Sequence, residues 1–144
     1  MLNLDKRKYV DTLVNNFWKF GYITVKRRFG TYLPEPEKVG DFDVDIIARQ
    51  KDTYAIGVTL SDDELNNPKL LEKVTFLATR RTKFSNKKVL LFLGVPSKQF
   101  KKIKLFVEEL PDEVKKCIKV ISIVETTIPS VRKTKSKKEG ILFT

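Results

Sequence analysis

Gly40-Asp41-Phe42-Asp43-Val44-Asp45-Ile46-Ile47-Ala48, followed after four polar residues by Thr53-Tyr54-Ala55-Ile56-Gly57-Val58-Thr59-Leu60, decides how this chain is read. In the first run Phe42, Val44, Ile46 and Ala48 alternate with Asp41, Asp43 and Asp45. Period-2 geometry assigns the apolar set to one sheet face and the three carboxylates to the other. Like charges on one covered strand face repel, and they are tolerated where the face is wet or where a cation meets it. Two readings follow: a solvated face of an antiparallel strand, or a site of hard oxygen ligands for a divalent metal of the kind that activates water against a phosphodiester. The break Arg49-Gln50-Lys51-Asp52 is short enough to make the two runs an antiparallel hairpin.

Outward from the hairpin, punctuation and periodicity give the other elements. Upstream, Asp5 to Phe20 carries Tyr9, Val10, Leu13, Val14, Phe17 and Trp18 at helical spacing, with Gly21 as a C-terminal cap. Tyr22 to Phe29 alternates as a strand, with Ile23, Val25, Arg27 and Phe29 on one side. Gly30 to Gly40, with Pro34 and Pro36, is a loop from which Glu35 or Glu37 could approach the acidic strand. Downstream, Ser61-Asp62-Asp63-Glu64 has the form of a helix cap, and Asn67-Pro68 offers a helix start. That helix bears Leu70, Leu71, Val74, Leu77 and Ala78 and runs to Arg80-Arg81. Lys87 to Val95 contains a nearly unbroken apolar run, the pattern of a strand buried on both faces. A helix starting near Ser97 shows Phe100, Ile103, Val107 and Leu110 on one side and ends at Pro111; a short turn then leads to a last strand over Ile118 to Val124. The order α-β-β-β-α-β-α-β predicts an α/β domain over residues 1–128, with a mixed sheet of about five strands flanked by helices. Residues 129–144, with Arg132, Lys133, Lys135, Lys137 and Lys138, read as a basic tail that orders only on a partner.

Composition limits the chemistry. The 144 residues include no histidine and one cysteine, Cys117, which rules out Ser-His and Cys-His catalysis, imidazole or thiolate zinc sites, and an internal disulfide. Cys117, beside Ile118, reads as a small buried hydrophobe. No apolar run approaches the roughly 20 residues of a membrane span, and the first residues lack the apolar core of a secretory signal; a cytoplasmic location is expected. Net charge is +11, unevenly spread: residues 1–72 carry 11 Lys plus Arg against 12 Asp plus Glu, and residues 73–144 carry 18 against 6. An acidic centre joined to a basic flank suits a polyanion partner, with DNA preferred over RNA. A lysine-rich solubilising surface is the plain alternative.

The element order, Asp45 near the second strand and the approach Leu33-Pro34-Glu35-Pro36-Glu37-Lys38-Val39-Gly40 together resemble the PD-(D/E)XK nuclease superfamily: restriction endonucleases, archaeal Holliday-junction resolvases and related repair nucleases. The resemblance implies a restriction-endonuclease-like fold, with Asp45 as a Mg²⁺ ligand. It also implies an acid, a spacer and a lysine on the third strand. This chain has Gly57-Val58-Thr59 there, or Val58-Thr59-Leu60 one residue on, and neither register holds the acid or the lysine. Without them a metal is under-ligated and the attacking water unplaced.

Two expectations follow. A non-cleaving nucleic-acid-binding domain, as an accessory subunit of an active nuclease or as a homodimer, would contact phosphates through Lys26, Arg27, Arg28, Arg80, Arg81, Arg132, Lys133 and Lys135. A Mg²⁺-dependent endonuclease would need a migrated site: Asp45 with Asp43 as metal ligands, Asp62 and Lys73 as further catalytic groups, and Asp11 or Lys69 as reserves. A protein-interaction domain without nucleic-acid binding is the third alternative.

Overall fold

The computed structural model describes residues 2–82 and 86–124. The basic tail, with Arg132, Lys133 and Lys135, lies outside the described residues. The chain forms α1 (Leu2–Lys19), β1 (Ile23–Arg27), β2 (Ile46–Gln50), β3 (Thr53–Thr59), α2 (Asp62–Leu65), α3 (Leu70–Ala78), β4 (Leu90–Pro96), a single 3₁₀ turn (Ser97–Gln99), α4 (Phe100–Glu108), α5 (Asp112–Lys115) and β5 (Ile118–Ile123). The α/β class and the order of major elements agree with the sequence expectation. Among the described residues no helix is long and apolar enough to cross a membrane.

The strands lie in chain order, β1-β2-β3-β4-β5, in one mixed sheet. The first two pairings are antiparallel and the last two parallel. A two-residue turn at Lys51-Asp52 closes the β2–β3 hairpin, with Gln50 opposite Thr53. β3-α3-β4 and β4-α4-β5 step the same way across the sheet, so one crossover handedness puts both helices on one face. There Leu70, Val74 and Leu77 of α3 and Ile103 and Val107 of α4 pack on Ile56, Val58, Leu91 and Leu93. Helix α1 covers the other face with Val10, Leu13 and Phe17 against Ile46, Ala48, Ala55 and Phe92. Strand β4, paired on both edges by β3 and β5, is covered on both faces, which is why its sequence is almost wholly apolar.

Two expectations about the hairpin strands are overturned. First, β2 begins at Ile46 rather than Asp41, and its apolar residues do not share a face. Val44 joins the α3–α4 core, Phe42 stacks near Phe76 of α3 with ring centroids 5.5 Å apart, and Ile46 and Ala48 join the α1 core. A turn before the strand causes this: Val39 and Phe42 form an isolated bridge and Gly40 takes φ +62°. The chain therefore reaches the sheet obliquely and changes layer at Asp45. Second, alternation in β1 fails between Thr24 and Lys26, where the register against β2 slips. That irregularity buries Tyr22 beneath α1 and leaves Ile23 exposed.

Gly57 is a point of close packing between α1 and the sheet. A Cβ there would lie 2.7 Å from a Phe17 ring carbon, 3.0 Å from Ile46 Cβ and 3.2 Å from Leu13 Cδ2. The first helix is thus pressed onto the sheet at Gly57. Gly57→Ala is expected to lower unfolding free energy by about 1–3 kcal/mol through overpacking, read as a shift in urea midpoint at constant slope.

Candidate functional site

The change of layer at Asp45 carries its side chain into the protein. Its backbone is fixed on both sides, since Asp45 N donates to Gly57 O at 2.9 Å and Arg28 N donates to Asp45 O at 2.9 Å. The residue is 2 % exposed. An ionised carboxylate so enclosed requires donors for its lone pairs. Thr59 supplies two, backbone N to Oδ2 at 2.7 Å and Oγ1 to Oδ2 at 2.9 Å. Arg28 Nη1 reaches Oδ1 at 3.4 Å, and Lys6 Nζ, from the first turns of α1, lies 3.3 Å from Oδ2. The same ammonium donates to Thr59 O at 2.8 Å and lies 3.8 Å from Glu64 Oε1. Asp45 thus ties α1, the segment after β1, the approach to β2 and the end of β3 into one charged knot.

Lys6 has no place in the sequence expectation. Its signal is the helical stripe: Lys6, Val10, Leu13 and Phe17 follow at i, i+4, i+7 and i+11, so the stripe that buries α1 meets the sheet end with a cation.

The companions expected for Asp45 go elsewhere. Asp43 does not lie on the Asp45 face; it is exposed, because the layer change separates residues that a straight strand would align. Asp62 opens α2 and meets Lys98 at 3.5 Å and Gln99 Nε2 at 3.2 Å. Ser61 and Glu64 form the expected capping box. Asp11 pairs with Arg27. Among the phosphate candidates Arg27 and Arg28 are therefore both held by internal carboxylates. Arg80 stacks its guanidinium 3.8 Å from the Phe76 ring centroid, and Arg81 Nη1 donates to Asn86 O. Arg80 and Arg81 follow α3 and precede β4, which places them at the opposite end of the sheet from Asp45 and away from Lys26–Arg28.

A cleft of about 360 Å³ opens between the approach to β2 and α3. Asp45 does not line it. Asp41, Asp43, Glu64 and Glu72 do, with Lys69 and Lys73 as the only cations, and such a wall repels phosphate. Lys73 is half-buried here; burial pushes its pKa below the ordinary lysine value of 10.5, opposed by Glu64, Asp45 and Asp43 and reinforced by Lys6.

A divalent metal fits these donors poorly. The Asp45 oxygens are engaged by two cations and a threonine, and among the described residues no group of three or more His, Cys, Asp or Glu side chains could share an ion. Asp45 and Asp43, expected as a metal pair, are separated by the layer change, Asp45 buried and Asp43 exposed. No family model, curated protein or solved structure matches this chain.

Asp45→Ala is expected to cost about 2–4 kcal/mol of stability in urea unfolding, since it strands Lys6 and Thr59 beside a void, whereas Asp43→Ala stays within about 0.5 kcal/mol. For Lys73, the folded pKa lies below the unfolded one, so the unfolded chain binds more protons between the two values and stability rises with pH across that window. Wild type should therefore gain stability relative to Lys73→Met as pH climbs from neutral toward 10.5, measured by urea midpoints at each pH.

Proposed function

We propose that this chain is a nucleic-acid-binding domain of restriction-endonuclease-like architecture that no longer cleaves. The architectural half is supported by the helix, the antiparallel β1-β2-β3 meander and the two parallel crossovers, together with Asp45 beside the third strand. The loss of cleavage is supported by what stands around that residue. Gly57 occupies the acid position with Phe17 and Leu13 against it, and Thr59 occupies the lysine position with both its donors spent on Asp45.

One observation carries the reading: the Asp45 carboxylate is neutralised internally by Lys6 and Arg28. A group held this way serves the fold, because an ion or a water nucleophile would have to displace a paired ammonium from a buried site. Binding is supported by charge, +11 overall with 18 basic against 6 acidic residues in the second half. A partner nuclease subunit of different sequence would supply catalysis where cleavage is needed.

Purified protein incubated with supercoiled, branched and single-stranded DNA plus Mg²⁺ or Mn²⁺ is expected to leave all three intact while retaining them at low salt. Affinity should fall linearly on a log–log plot against salt, with a slope near −0.9 per phosphate engaged on duplex. Cleavage that vanishes in Asp45→Ala overturns the first half. Absence of binding to DNA and RNA at low salt overturns the second and favours a protein-interaction domain.

A further inference from the structure

The parallel strands end at the side of the sheet that carries Asp45, so β4 and β5 begin at the opposite side, and cations collect where they begin. Register sets Leu91 against Ile118 and Phe92 against Lys119, which brings the residues leading into the two strands together. Before β4, Arg81 and Lys88 form an isolated antiparallel bridge. Before β5 come Lys116 and Cys117, and Leu91 N donates to Cys117 O at 2.7 Å.

Two clefts open here. One, of about 210 Å³, has Arg80, Arg81, Lys88 and Glu113 in its wall. The other, of about 270 Å³, lies toward α1 and has Phe20, Phe92, Lys116 and Lys119 in its wall. The clefts lie on opposite faces of the sheet and share Cys117, and Lys88 of the first stands against Lys116 of the second, so together they make a basic track around this end of the sheet.

The charge of this track is uncompensated. Among the described residues no carboxylate lies within ion-pair distance of Arg81, Lys88, Lys116 or Lys119. Glu113 is the single acid lining either cleft. Lys88 and Lys116 bring their side chains into contact with each other, and that contact, with the repulsion it entails, holds the Lys88 pKa below its ordinary value. Two adjacent ammonium groups are relieved by a shared anion. The cleft at the other end, with four carboxylates against two lysines, has the opposite preference.

Aromatic surface is interleaved with these cations. Phe20 is 43 % exposed, stands edge-on to Phe92 with centroids 5.6 Å apart, and carries Lys119 Nζ 4.9 Å from its ring centroid. A duplex hides the faces of its bases, whereas a single strand offers them to such rings while its phosphates meet the lysines. We infer that a single strand of nucleic acid lies along this end of the sheet, its phosphates on Arg81, Lys88, Lys116 and Lys119 and a base against Phe20. The inference rests on the nucleic-acid-binding reading above and adds to it a location and a strandedness.

The test uses fluorescence anisotropy with a labelled single strand of about 12 nucleotides, within the footprint of such grooves, as DNA and as RNA, beside a duplex of the same sequence. Four full-length proteins are compared: wild type; Lys88→Gln with Lys116→Gln and Lys119→Gln; Phe20→Leu; and a charge-matched control, Lys101→Gln with Lys102→Gln and Lys104→Gln on α4. Circular dichroism checks that each is folded. Wild type is expected to bind the single strand at least about tenfold more tightly than duplex. The track variant should lose at least about 30-fold, with its log–log salt slope shallower by about 2, while the control loses no more than about threefold. Phe20→Leu, which keeps apolar packing but removes the ring, should lose about tenfold on the single strand and nothing on duplex. A single-strand preference with either sugar supports the inference. Equal binding to duplex, or equal losses in the two triple variants, overturns it while leaving the proposed function standing; wild type that binds neither DNA nor RNA overturns both.

Discussion

The buried Asp45 carboxylate is the constraint that the rest of this molecule accommodates. Removing a charge from water is tolerated only where donors replace the lost hydration, and here they arrive from residues remote in sequence: Lys6 from α1, Arg28 from the chain after β1, and Thr59 from the end of β3. The lysine must stand at the sheet end for this, which positions α1 along its length and brings Leu13 and Phe17 down on Gly57. The electrostatic knot and the close seat of α1 on Gly57 are thus two ends of one arrangement.

That arrangement gives the two ends of the sheet different characters. At the Asp45 end, acids and bases are largely matched in pairs, and the open cleft beside them is acidic. At the end where β4 and β5 begin, the cations outnumber the acids and stand among exposed rings. Because Lys88 and Lys116 come from different crossovers, the parallel pairing of β4 with β5 is what places them side by side. The charge asymmetry between the halves of the sequence becomes a spatial asymmetry through the topology.

Element order was legible in the sequence because local physics writes it: glycine and proline at boundaries, a helical period in α1, α3 and α4, and an unbroken apolar run in β4 that only a strand covered on both faces requires. Asp45 was legible as the residue to watch, since it is the carboxylate that leads directly into a buried strand. Its partners were not. Alternation over Asp41, Asp43 and Asp45 implied a shared face, but the Val39–Phe42 turn bends the approach and only Asp45 enters the interior. Lys6 lies 53 positions from the Thr59 carbonyl it binds, a separation over which no pattern of period 2 or 3.6 carries information. The basic dipeptides were visible as charge, yet whether a guanidinium meets a carboxylate, as in Arg27 and Arg28, or only a backbone carbonyl, as in Arg81, depends on tertiary neighbours.

The close seat of α1 on Gly57 also bears on how this chain can change over time. An acid at position 57 would have to displace both Leu13 and Phe17, and a lysine at 59 would leave Asp45 without its threonine hydroxyl. No single substitution at either position is sterically or electrostatically free. The helix therefore acts as a ratchet: with Leu13 and Phe17 seated against Gly57, replacing that glycine by a carboxylate runs uphill, and change is easier on the surfaces that the helix leaves uncovered.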